Sequence, residues 1–226
     1  MARQQYADRL SSLRTEVVLL AELVLERYED ALQAAADGDL RRADQIVRQD
    51  DEINDWYLEL EGECIDLIAR HQPVAGDLRL ITASFKIITD LERIGDLATN
   101  LARRTEYGRS GIHPAVDLHA LGVAASEMVD AAVAAYEDDD AAACRAVAAD
   151  DDRLDADCAA TTQRIIRELI TERTATDRTD DELARAVERT THALLTVRDI
   201  ERVGDHAVNI AARTLYMIDG DADLLY

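Results

Sequence analysis

Glu92, Asp96 and Asn100 follow one another at a spacing of four, and the same trio returns at Glu201, Asp205 and Asn209. Residues four apart on an α-helix are neighbours on one face, with Cβ atoms roughly 5–6 Å apart. Each trio is therefore a candidate column of oxygen ligands. Like charges at this spacing destabilise a helix by roughly 0.2–0.5 kcal/mol, which calls for a compensating cation. An arginine from a neighbouring helix would serve, and so would a metal ion. A further polar pair precedes each column, Asp50 with Asn54 and Asp151 with Asp155, again four apart. An antiparallel neighbour carrying that pair would set it opposite the column and create an oxygen-rich site between helices. Such donors, without thiolate or repeated histidine, suit hard cations such as Mg, Ca, Mn or iron rather than structural zinc. His206 has Leu97 as its counterpart, so histidine is outside the repeated pattern. In an acidic chain the bland alternative is a solvated face, and recurrence with the same neighbours is what favours a site. Asp90 and Asp199 stand three before Arg93 and Arg202 and read as intrahelical salt bridges. Gly95 and Gly204 sit mid-helix at a cost of about 1 kcal/mol relative to alanine. Close approach of another helix beside the acids is the expected compensation.

Six helices must position these groups. Apolar spacing and breakers place the first from about Tyr6 to Ala36, with a stripe of Leu10, Leu13, Val17, Leu20, Val24 and Tyr28. The second runs from about Asp39, a plausible N-cap, to Arg70, and His71-Gln72-Pro73 ends it. The third runs from about Asp77 to Tyr107, and Ile112–Pro114 makes a linker. The second half repeats the plan: about Ala115 to Glu137, on to Glu172, a loop at Arg173–Thr179, then Asp180 to Ile218. A shift of 101 places Asp39 on Asp140, Asp50 on Asp151 and Ile53 on Leu154. After the longer loop the shift is 109, and it aligns 90–105 with 199–214 at ten identical positions of sixteen. The fold predicted is all-α, a tandem repeat of two three-helix bundles, at 1–111 and 112–226.

The doubled Asp-Leu/Ile-Glu-Arg-Ile/Val-Gly-Asp motif with its Asn, together with Gln72-Pro-Val-Ala-Gly-Asp-Leu-Arg79, resembles the PhoU family of phosphate-uptake regulators. The likeness runs from about Leu13 to Leu215. It implies two similar three-helix bundles, each with a surface metal site. Carried onto this chain, the metal residues are Asp50, Glu92 and Asp96 in the first copy and Asp151, Asp155, Glu201 and Asp205 in the second. It also implies a non-enzymatic role: restraint of the ATPase of a phosphate ABC transporter, and a link to a membrane sensor histidine kinase. A homodimer, peripheral to the membrane only through its partners, is the expected assembly. The second half lacks the proline turn, so any contact made through Gln72–Arg79 exists once. The competing readings are a PhoU-like regulator of another ion transporter and a carboxylate-bridged metal hydrolase. The hydrolase needs two ions about 3.5–4 Å apart, and no general base beyond the ligands is evident. There is no Glu-x-x-His, Walker loop or G-x-S-x-G.

Composition narrows the setting. Only 4% of the 226 residues are aromatic and two are proline, which favours helix over strand. No apolar run approaches the roughly 20 residues that span a bilayer, the best being Val17–Leu25, and the amino terminus lacks the apolar core of a secretory signal. A soluble cytoplasmic protein is expected. Cys64, Cys144 and Cys158 form no CxxC and read as buried free thiols. Net charge is -22, thirty of the acids are aspartate, and Lys86 is the only lysine. Such a surface repels nucleic acid. It suits a high-salt cytoplasm like that of a halophilic archaeon, where at 1 M salt charges are screened within about 3 Å. Dialysis into low salt is accordingly expected to unfold the protein reversibly; circular dichroism unchanged by that transfer would overturn the reading.

Overall fold

The computed structural model describes residues 2–108, 117–174 and 179–225. Its helices are α1 (Ala2–Asp37), α2 (Leu40–Arg48), α3 (Asp50–His71), α4 (Ala75–Arg103), the short α5 (Thr105–Gly108), α6 (Leu118–Asp138), α7 (Ala141–Thr174) and α8 (Asp180–Asp219). A 3-10 turn follows at Asp223–Leu225, and no strand occurs among the described residues. The expected linker at Ile112–Pro114 and much of the loop at Arg173–Thr179 lie outside the described residues. The fold is all-α with two matching repeats. The expected cap is present in both: Asp39 accepts from the amides of Arg41 and Arg42, and Asp140 from those of Ala142 and Ala143.

Two expected helices are interrupted: the one from about Asp77 to Tyr107 stops at Arg103 and resumes as α5, and the one before it divides at a place that matters more. The segment from Asp39 to Arg70 breaks at Gln49 (φ -97°, ψ 9°), whereas its counterpart α7 is continuous. The break puts Asp50, Asp51 and Glu52 in the first turn of a new helix, where carboxylates favour the positive end of the helix dipole. It also lets Asp50 accept from Thr99 Oγ1 at 2.8 Å. Val208 occupies the equivalent position in the second repeat and offers no such donor.

The repeats share one core. Val17, Leu20, Val24 and Tyr28 of α1, Ile87, Leu91 and Ile94 of α4, Val129 of α6, and Val203 and Ile210 of α8 belong to a single buried cluster. Helices α1 and α4 pack together, as do α6 and α8, and the pairs join where α4 meets α8 and α1 meets α6. Helix α3 covers α1 and α4, while α7 covers α6 and α8. By length and composition α6 could cross a membrane. Alanine, rather than a run of large side chains, supplies its apolarity. Its Leu121, Val129, Ala132 and Tyr136 are buried in the core. All three cysteines are free and buried, and burial pushes their thiols up to about 11 or 12.

Polar groups close the α4–α8 seam. Asp90, 7% exposed, accepts from Asn209 Nδ2 at 3.3 Å and lies 2.8 Å from His206 Nδ1. Asp199, 8% exposed, is bridged by Arg104 of the first repeat. The intrahelical pairing expected from sequence is thus secondary: Arg202 is 3.7 Å from Asp199, and Asp90 turns to the other repeat. A buried carboxylate is tolerable only when paired, and stranding one member of a buried pair typically costs about 3–5 kcal/mol. His206→Leu, which copies Leu97, leaves Asp90 buried with Asn209 alone. It is expected to lower the unfolding free energy by about 3 kcal/mol in urea titrations; a loss under about 1 kcal/mol would match an exposed pair.

Candidate metal centres

Glu92 and Asp96 lie on α4, and Asp50 opens α3 beside them. The two helices meet at Gly95: a Cβ there would stand 3.0 Å from Ile53 Cδ1. The second repeat reproduces the contact more tightly. At Gly204 a Cβ would stand 2.5 Å from Leu154 Cδ2 and 3.1 Å from Asp151 Oδ1. The glycines therefore serve the close approach that their spacing predicts, and they bring one helix's acids to the other's.

The carboxyl groups feel that approach. Burial and then Asp96 push the Glu92 carboxyl up, with Arg93 opposing and Asp50 adding. Burial and Asp50 raise Asp96. In the second repeat burial and then Asp155 raise both Glu201 and Asp205. Asp151 reaches about 6, through burial first and then Asp155, Asp205, Asp152 and Glu201. Mutual repulsion thus groups Asp50 with Glu92 and Asp96, and Asp151 with Asp155, Glu201 and Asp205. Arg93, Arg103 and Arg202 offset this only in part, and none of the seven carboxylates joins an ion pair among the described residues.

The clusters differ in one respect. Asp50 is satisfied by Thr99, whereas Asp151 Oδ1 is buried with no hydrogen-bond partner. An unpaired buried carboxylate oxygen among four acids is the environment a hard cation relieves, so the second donor set fits one. Among the described residues no three histidine, cysteine or acidic side chains already converge on an ion-sized point, so binding requires side-chain rotation. The columns also lose a member: Asn209 directs its Nδ2 to Asp90 across the seam. His206 is unrepeated in sequence, and only its burial against α4 reveals its contact across the seam.

The pH dependence has a definite sign. Asp151 holds its proton more tightly folded than unfolded, so the unfolded chain ionises first as pH rises. Metal-free protein therefore loses stability from this group between about pH 4 and pH 6 and does not regain it above. Asp151→Asn removes that loss. The variant is expected to melt higher than wild type near pH 8 and equally near about pH 3.5; a variant less stable than wild type at pH 8 without metal would contradict this.

Comparison with known proteins follows the same two blocks. The PhoU domain family matches residues 17–105 and 118–214. A Pseudomonas aeruginosa protein named phosphate-specific transport system accessory protein PhoU homolog is 34% identical over 96% of this chain and 86% of its own length. A homologue in Methanothermobacter thermautotrophicus is 29% identical over 94% of each. The crystal structure of PhoU from Pseudomonas aeruginosa superposes with a TM-score of 0.82 at 32% identity, covering 96% of this chain and all of that one. A phosphate transport system regulatory protein PhoU from Streptococcus pneumoniae gives 0.84 at 25% identity, covering 96% of this chain and 98% of the other. With both repeats matched and nearly the full length covered, the chain belongs to the PhoU family.

Proposed function

We propose that this protein is a non-enzymatic regulator of phosphate uptake, acting as a cytoplasmic adaptor that restrains the ATPase of a phosphate ABC transporter. The observation that carries the reading is similarity, over 96% of the chain, to proteins named as accessory to phosphate-specific transport. The architecture supports an adaptor. The long helices enclose a side-chain-filled core, and the acidic clusters lie at the surface between helices. Relay of phosphate status to a sensor histidine kinase extends the role in hosts that possess one.

The carboxylate clusters are proposed to hold divalent or trivalent cations. Asp151, Asp155, Glu201 and Asp205 would hold one, and Asp50, Glu92 and Asp96 a weaker one. A bound cation would supply charge compensation for the α7–α8 and α3–α4 acids. The unpartnered Asp151 Oδ1 supports the stronger second site, and Thr99, already bonded to Asp50, supports the weaker first. Deleting the gene is expected to raise phosphate accumulation in phosphate-replete cells, and uptake unchanged by deletion would refute the regulatory role. Elemental analysis of a Glu92→Ala/Glu201→Ala double variant should show less bound metal than wild type; equal content would refute the metal reading.

A further inference from the structure

The geometry points to Cys158 as a further ligand of the second cation centre, giving that centre a preference for a thiophilic divalent cation such as zinc(II) over magnesium or calcium. This rests on the cation reading proposed above and adds to it which metals the second centre takes. Asp151, Asp155 and Cys158 follow one another at spacings of four and three on α7 and so share one face of that helix. Helices α7 and α8 are consecutive, joined by a short connection and packed along their lengths, so they run antiparallel. Leu154 marks their register, with its Cδ2 2.5 Å from where a Cβ on Gly204 would stand. One turn farther along α7 therefore meets α8 one turn earlier. That brings Cys158 to Ile200 and Glu201, with Cys158 and Ile200 both buried. The thiol thus lies on the core side of the same acids that Asp151 and Asp155 face.

The electrostatics agree with that placement. Burial first, then Glu201, Asp155, Asp157 and Asp151, push the Cys158 thiol up to about 12. Three of those four acids belong to the second centre. The other two thiols answer to different acids, Cys64 to Glu63 and Glu61, and Cys144 to Asp140. On the core side stands the Tyr28 hydroxyl, buried and without a hydrogen-bond partner among the described residues. It is raised by burial and then by Cys158. A buried donor without an acceptor is costly, and a thiolate beside it would be the acceptor it lacks. In the first repeat Tyr57 holds the matching position. It offers a phenol, raised chiefly by Glu61 and by burial, with Glu92 contributing.

Ligand chemistry then separates the two centres. Magnesium and calcium take oxygen ligands and leave a protonated thiol alone. Zinc and iron(II) gain from sulfur and can displace its proton. On coordination a metal–sulfur bond replaces the S–H bond, and the proton passes to solvent. The second centre thus joins carboxylates to one thiolate, whereas the first, with Asp50, Glu92 and Asp96, offers oxygen alone.

The test titrates cobalt(II), a spectroscopic stand-in for zinc, into metal-free full-length protein and follows the thiolate-to-cobalt charge-transfer band in the near ultraviolet. The band is expected in wild type, in Cys64→Ser and in Cys144→Ser, and is expected to vanish in Cys158→Ser. Cys158→Ala, which adds no polar group to the core, is expected to behave as Cys158→Ser does. In equilibrium dialysis either Cys158 variant is expected to lose at least about tenfold in zinc affinity while manganese binding stays within about twofold. Cobalt bound to wild type without the band would overturn the thiolate ligand and needs no variant to show it. A band that survives both Cys158 variants would overturn it equally, and either result leaves the cation reading standing. Wild type that binds neither cobalt nor manganese would remove the cation reading and this inference together.

Discussion

Two buried carboxylates, each facing the opposite repeat across one helix contact, set how the halves of this protein meet. Asp90 and Asp199 lie on α4 and α8, and each takes its partner from the opposite half: His206 and Asn209 for the first, Arg104 for the second. Burial makes an unpaired carboxylate costly, so the halves can pack here only where each carboxylate meets its partner. Apolar burial adds a general force, because the core runs unbroken through both halves. The carboxylates add register: they pair correctly only when α4 and α8 cross at one offset. Duplication has therefore produced a fused molecule, and the two partner sets show how far its halves have diverged. Leu97 cannot do for Asp199 what His206 does for Asp90, and Arg104 takes its place.

That register sets the acidic clusters beside the seam. Glu92 and Asp96 follow Asp90 on α4, and Glu201 and Asp205 follow Asp199 on α8. Two opposed effects act on them. Helix α3 is drawn onto Gly95 and α7 onto Gly204 by Ile53 and Leu154, which gains apolar contact. The same approach brings Asp50 and Asp151 towards other acids, and burial with mutual repulsion raises the carboxyl groups of Glu92, Asp96 and Asp151. In the first repeat the Thr99 hydroxyl takes up part of the tension. In the second, with Val208 in that place, the tension remains on Asp151.

Much of this was legible in the sequence. The all-helical class, the two repeats, the shared caps at Asp39 and Asp140, the tight contacts at Gly95 and Gly204 and the grouping of seven carboxylates all follow from spacing. Helical periodicity and glycine's missing side chain are local properties, and duplication prints each twice. A break such as Gln49 is not legible in this way. No proline or glycine marks it, and the groups that accompany it, the acids of the new first turn and the Thr99 hydroxyl, lie partly on another helix. The apolar character of α6 is likewise carried by alanines, small residues several of which lie buried in the core.

The sequence by itself determined the elements, their order and their duplication, because those depend on residues a few positions apart. Tertiary structure alone decided which acids are paired and which are left to repel. Asp90 and Asp199 look like intrahelical partners of Arg93 and Arg202 until α8 is laid against α4. Asp50 and Asp151 look equivalent until Thr99 is found beside one and Val208 in the matching place beside the other. The physical reason is the same in each case. A carboxylate's state is set by whatever donor, cation or like charge lies within a few ångströms, and those neighbours come from helices far away in the chain.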